Sequence, residues 1–164
     1  MDLVGRIILL FDLQRTDRGS IMDTLFHLAF PVHDFKLAKI FYQQQLGCQL
    51  GRESEHALIF QFGPHQIVAH KVDAPLPTQQ GIYPRHFGLI FLEQSEFNVF
   101  IQRINNQQIS YEIPPKTRFP NTKIEHQSFF LKDPSNNLLE FKYYTYPSAI
   151  FGEQELHQIG DAPG

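Results

Sequence analysis

Two stretches of this chain run through the same series of patterns. Residues 25–32, Leu25 to Val32, alternate apolar and small or polar side chains as a strand does. Asp34 then stands where a helix N-cap belongs, and Phe35, Ala38, Tyr42 and Leu46 recur on one face of a helix from Phe35 to about Leu46. Gly47 stops it. Short strands are predicted near 48–53, 57–62 and 65–72, with Gly63-Pro64 turning into the last. The series restarts at 85–92. Ser95 is the expected cap of a helix carrying Phe97, Ile101 and Ile104, and Asn105-Asn106 are expected to end it. Strands are predicted near 109–113, 126–132 and 137–144, the last two parted by Asp133-Pro134-Ser135-Asn136-Asn137. Each half reads β-α-β-β-β. The expected class is therefore α+β, two βαβββ modules forming a cupped mixed sheet with helices on its convex face.

The halves superpose at two points. His27 matches His86, 59 residues on, and Pro64 matches Pro134, 70 residues on, so the second half is longer by 11. The excess falls around 111–125, where Pro114, Pro115 and Pro120 argue against a central strand, and this insertion is a candidate lid. Module one is expected over 24–73 and module two over 84–146, joined by a linker over 74–83 with Pro75, Pro77 and Gly81. The two form one domain, 22–151.

Strand alternation selects a small set of polar residues. With Phe26, Leu28 and Phe30 facing the helices, His27 and Ala29 face the concave side. With Phe87, Leu89 and Phe91 inward, His86 and Gly88 face outward, and with Leu139, Phe141 and Tyr143 inward, Glu140 faces outward. Singly, each histidine reads as a hydrogen-bonded strand residue. Their repeat-related placement makes two imidazoles and a carboxylate a candidate triad for a divalent first-row metal. A buried Glu140 needs a cation or a hydrogen-bond network.

Several of these residues carry a resemblance. His27, Asp34 with Phe41-Tyr42 and Leu46-Gly47, His86, and the run from Phe129 through Asp133-Pro134 to Glu140-Phe141 resemble the vicinal oxygen chelate superfamily over residues 24–146. Its members include glyoxalase I, extradiol dioxygenases, fosfomycin-resistance and bleomycin-binding proteins. The resemblance implies one divalent metal (Fe, Mn, Ni, Co or Zn) on His27, His86 and Glu140. It also implies a small-molecule substrate chelated through vicinal oxygens, and a homodimer. The proline-anchored overlay puts His70 at the fourth-strand position where glyoxalase I-like isomerases usually have Glu. His70 is thus a candidate fourth ligand or base, or else a plain strand histidine. Extradiol dioxygenases usually carry Tyr where this chain has Phe130, a candidate substrate contact. His126 is a candidate acid/base. Arg118 and Phe119 could close over a carboxylated substrate, while Arg52, Arg85 and Arg118 form no motif for a phosphonate. The expected function is a metal-dependent enzyme of glyoxalase or dioxygenase type. The alternative is a non-catalytic, resistance-type binding module that keeps the metal residues.

Composition removes other classes. Hydrophobic residues are 42% and charged residues 19%, enough apolar material for an interior. The net charge is −3 with no Lys/Arg cluster, which argues against nucleic acid. No apolar run approaches a membrane span, and Ile7–Phe11 is too short for a signal-peptide core. The single Cys48 excludes an internal disulfide, reads as a small strand residue and points to the cytoplasm. His33, His56 and His157 fall in expected loops or the tail and receive no role, and His65 is expected at the surface. Residues 1–21 form an extension of uncertain status, with Met22 just before the first strand. The tail, 152–164, is expected to be disordered.

Overall fold

The structure, a computed structural model, describes residues 24–160. The N-terminal extension and the question of Met22 lie outside the described residues. Module one contains β1 (His27–Val32), a short helix α1 (Phe35–Ala38) that runs on as a π-helical segment (Lys39–Gln45), then β2 (Gln49–Glu53), β3 (Ala57–Phe62) and β4 (His65–Lys71). Module two repeats the order with β5 (Phe87–Phe91), α2 (Gln94–Asn106), β6 (Tyr111–Arg118), β7 (His126–Lys132) and β8 (Leu138–Tyr144). A short α3 (Ser148–Phe151) follows. Each module folds into its own four-stranded mixed sheet, in the orders β1-β4-β3-β2 and β5-β8-β7-β6. β1 and β5 are parallel to β4 and β8, and the remaining pairs are antiparallel. The expected α+β fold of paired βαβββ modules is what the chain adopts.

The helices sit where the apolar stripes put them. The Asp34 side chain accepts from Leu37 N at 3.0 Å and starts α1. The widening to π geometry brings Phe41 as well as Tyr42 inward, and Leu46 N donates to Phe41 O at 2.9 Å. Gly47, at φ 87°, lets the chain leave the segment while Arg103 of α2 donates to Gln45 O at 2.6 Å and Gln44 O at 2.9 Å. The start of α2 differs from expectation. It begins at Gln94 with Glu93 as N-cap and no side-chain capping bond, so Ser95 is inside the first turn. Its end also differs, for Gln108 and not an Asn takes the positive φ, 53°.

One core joins the modules. Tyr42 packs on Phe30 and Phe60 in module one, and Phe97 and Phe100 pack on Phe129 and Phe141 in module two. Phe30 and Phe62 meet Phe87 across the junction, at 5.3 and 6.5 Å between ring centroids. A buried polar knot pins the same junction. Asp133 accepts from Tyr42 Oη, Ser135 N, Asn137 N and Asn137 Nδ2, all at 2.8 Å, and Asn137 Nδ2 also reaches Pro31 O. Four donors on one carboxylate compensate its removal from water.

Three expectations need correction. Phe26 is not in the core: it is 60% exposed, its ring edge-on to His65. The proline-rich stretch is not a free lid up to residue 118. It is β6, an edge strand, with register irregularities between Tyr111 and Lys116 that accommodate Pro114 and Pro115. The tail is placed as far as Gly160 and packs back on module two, with Lys123 Nζ 2.6 Å from Glu155 Oε2.

Candidate functional site

A cavity of about 680 Å³ opens on the outer face of the second sheet. Register explains its lining. Gly88 pairs with Glu140, which pairs with Phe130; one step along, Lys142 pairs with Ser128; a further step along, Tyr144 pairs with His126, which pairs with Arg118. Alternation sends His126, Phe130, Glu140 and Lys142 into the cavity while Phe129, Leu131 and Phe141 enter the core.

At its inner end His86, just before β5, meets Glu140. His86 Nε2 lies 3.2 Å from Glu140 Oε2, and Lys142 Nζ lies 2.8 Å from the same oxygen. His86 Nδ1–H donates to the Ile82 carbonyl at 2.8 Å, so a neutral His86 turns the lone pair of Nε2 on a carboxylate oxygen. Two acceptors facing one another need a positive charge between them, a proton or a metal ion. The hydrogen bond with Glu140 raises the His86 pKa, against the burial that lowers it. Burial pushes the Glu140 carboxyl up, but the bonds from His86 and Lys142 outweigh it and leave it below its ordinary value. The ring of Phe130 stands edge-on to His86 at 5.3 Å.

His126 follows the same tautomeric pattern. Its Nδ1–H donates to Ile124 O at 2.9 Å, leaving the Nε2 lone pair available. Burial lowers its pKa against the bond to Ile124 that raises it, and the charges of Lys142 and Arg118 add to the lowering, which favours the neutral imidazole. It sits four residues along β7 from Phe130, about 13 Å from the level of Glu140. Arg118, expected on a mobile loop, is buried at the end of β6 and donates through Nε to Ser128 Oγ at 2.8 Å.

His27 is elsewhere. It is exposed on β1 of the first sheet, and its Nδ1–H donates to Gln66 Oε1 at 2.8 Å, which again presents Nε2 outward. Within one chain, no group of three or more His, Cys, Asp or Glu among the described residues is disposed to hold a metal ion. The donor chemistry nonetheless fits one. Three imidazoles have Nδ1 tied to an oxygen acceptor and Nε2 left as a ligand, the arrangement that orients metal-binding histidines.

The fourth-strand overlay shifts. Ala29, two residues after His27, pairs with Val68, and Gly88, two residues after His86, pairs with Glu140. The counterpart of Glu140 is thus Val68, which has no donor atom. His70 lies two residues further, exposed and level with Pro31. The prolines misled because the β3–β4 turn holds two residues between Phe62 and His65, while the β7–β8 turn holds five between Lys132 and Leu138. Lys142 and the tail residue His157 also line the cavity, and sequence reasoning gave neither a role. Lys142 was findable, since it stands two residues after Glu140 and alternation gives it the same face.

The chain belongs to the Glyoxalase/Bleomycin resistance protein/Dioxygenase superfamily, whose profile matches residues 24–141. Among solved structures it is similar to the glyoxalase/bleomycin resistance protein/dioxygenase from Alicyclobacillus acidocaldarius, at 36% identity and TM-score 0.74, over 79% of this chain and 97% of that one. It shares its fold with the fosfomycin resistance protein FosX from Listeria monocytogenes, at 17% identity and TM-score 0.61, over 78% of this chain and 98% of that one. The same holds for lactoylglutathione lyase from Agrobacterium tumefaciens, at 17% identity and TM-score 0.59, over 80% and 98%. No curated protein matches the chain. Among the described residues, no helix is long and apolar enough to cross a membrane.

Proposed function

We propose that this protein is a divalent-metal-dependent enzyme acting on a small substrate through vicinal oxygens. His86 and Glu140 of one copy and His27 of a second copy hold the metal. The observation that carries the reading is the pair of acceptors, His86 Nε2 and Glu140 Oε2, facing each other at 3.2 Å with His86 Nδ1 already committed to Ile82. A homodimer supplies the third ligand. β1 and β5 are both edge strands, and exposed apolar side chains flank them: Leu25 and Phe26 beside β1, Ile90 and Leu92 at the end of β5. Laying β1 of one copy beside β5 of another brings His27 towards His86.

When bound, the metal supplies Lewis acidity that stabilises negative charge developing on the chelated oxygens. The residues of the chain do the rest. Glu140 and His86 fix the inner end of the cavity, and Phe130 excludes water beside them. Lys142 offers a positive charge next to Glu140 for an anionic oxygen of the substrate. His126, neutral with Nε2 unprotonated, accepts a proton from the part of the substrate that reaches along β7. The buried, unpaired Cys48 suits a cytoplasmic setting.

A second reading has its own observation. Lys142 Nζ already neutralises the Glu140 oxygen at 2.8 Å, which a metal-free small-molecule binding module would also require. Metal analysis of untagged protein purified without chelator, with His86→Ala beside it, separates the two. The enzyme reading expects about one equivalent of transition metal per chain, lost in the variant. Iron would direct the assay to dioxygen uptake, and nickel or zinc to thiol adducts of α-ketoaldehydes. Wild type that stays metal-free after anaerobic Fe(II), Mn(II) or Ni(II) addition would promote the binding module.

A further inference from the structure

The outer wall of the cavity does not come from the βαβββ modules. It is built by the C-terminal segment from α3 to Gly160, which lies beyond residues 24–141, the stretch that the superfamily profile matches. The segment is held at two places. Glu155 pairs with Lys123 on the β6–β7 connection, and Gly160 lies so close to Tyr83 that a Cβ there would fall 1.8 Å from Tyr83 Oη. Ile150 and Phe151 before the first anchor, and Leu156 and Ile159 between the two, line the cavity together with Phe119 and Ile124. Phe151 is 94% exposed and Ile159 is 87% exposed, although both border the cavity. Large apolar side chains left in water beside a cavity are surface that a ligand can bury.

From this arrangement we infer that the segment is a substrate-specificity wall. The substrate carries, beyond its chelating oxygens, an apolar arm of aryl or branched-alkyl size that packs against Phe151 and Ile159. The inner end of the inference, where the oxygens sit at His86 and Glu140, rests on the proposed metal reading; the wall does not. Size supports it as well. A cavity of 680 Å³ is in the range that encloses ligands of drug size, far more than a three-carbon ketoaldehyde fills. The sheet contributes His86, Glu140, Lys142 and His126, and the segment adds Phe151 and Ile159 beside polar residues such as His157, so the ligand meets a polar inner end and an apolar patch further out.

The test uses the full chain and the double variant Phe151→Ser/Ile159→Ser, whose side chains are too exposed to matter for folding. Two bidentate vicinal-oxygen chelators, acetohydroxamate and 2-naphthohydroxamate, are titrated into Ni(II)-loaded protein. The wild type is expected to bind the naphthyl probe at least about tenfold more tightly, and the variant to lose most of that preference while binding acetohydroxamate unchanged. A preference that survives both substitutions overturns the inference. The second arm needs no metal: 2-naphthoate and acetate are added to metal-free protein, and backbone amide shifts of residues 148–160 are followed by NMR. Naphthoate is expected to move them in wild type alone. If no shift appears there, or if the substitutions change only the oligomeric state, the apolar surface serves another purpose and the inference falls. Protein that takes up no nickel yet shows the naphthoate shifts would sink the metal reading and leave the wall standing.

Discussion

Val68 on β4 occupies, in module one, the place that Glu140 on β8 occupies in module two. The consequence is an asymmetric repeat. Both modules present an imidazole Nε2 from the start of their first strand, but only the second sets a carboxylate beside it. A single chain therefore brings together two of the three candidate ligands, and the third faces away on the other sheet.

The His86–Glu140 contact depends on close approach of β5 and β8 at Gly88. A Cβ on Gly88 would lie 1.6 Å from Glu140 O, so Gly88→Ala has to push the strands apart. The expected cost is about 1–3 kcal/mol of folding stability, measured by urea denaturation, with weaker metal uptake. A variant as stable as wild type would mean that the strands are not held this closely.

Arg103 links α2 of one module to the π-helical segment of the other through two carbonyls, Gln44 O and Gln45 O. Arg103→Ala should destabilise the chain by about 1–3 kcal/mol in thermal or chemical unfolding, because both bonds are charge-assisted. Arg103→Lys should recover only part, since an ammonium cannot reproduce the fork.

Burial raises the Tyr42 pKa well above its ordinary value, and the neighbouring Asp133 charge adds to it. The folded chain thus holds the Tyr42 proton more tightly than the unfolded chain. Its contribution is complete below the unfolded pKa of about 10 and is lost as pH rises beyond it, by up to about 1.4 kcal/mol per pH unit. Stability measured from pH 8 to 11 should fall above pH 10, and Tyr42→Phe should flatten that slope while costing about 1–2 kcal/mol at neutral pH for the lost bond to Asp133. An unchanged slope in the variant would assign the alkaline loss to other groups.

Burial pushes the Cys48 thiol up to about 12, and the residue is 8% exposed. A thiol reagent at pH 8 should label Cys48 only at the rate at which the chain opens, and fully in denaturant. Rapid labelling of the native protein would contradict its place in the core.

The architecture was legible because alternation in the strands and the apolar stripe from Phe35 to Leu46 are each set by burial on one face. What escaped had local physical causes. Pro64 and Pro134 each stand second in their turns and look equivalent, but the turns hold two and five residues, which displaced the fourth-strand overlay from Val68 to His70. Pro114 and Pro115 read as a loop because the edge position and bulges of β6 are tertiary facts. Lys142 received no role and the tail was expected to be disordered, yet both line the same cavity as Glu140. Parity singled out His27, His86 and Glu140 as candidates, but parity assigns a face and not a distance.

Subunit complementation tests the central claim most directly. His27→Ala and His86→Ala are each purified, analysed for metal, then unfolded together and refolded as a mixture. If His27 of one copy completes the centre formed by His86 and Glu140 of another, each variant alone is metal-poor. The mixture then recovers about a quarter of the wild-type metal, from mixed dimers holding one intact site of two. A mixture as metal-poor as its parents, from variants shown to pair, would contradict a centre shared between copies.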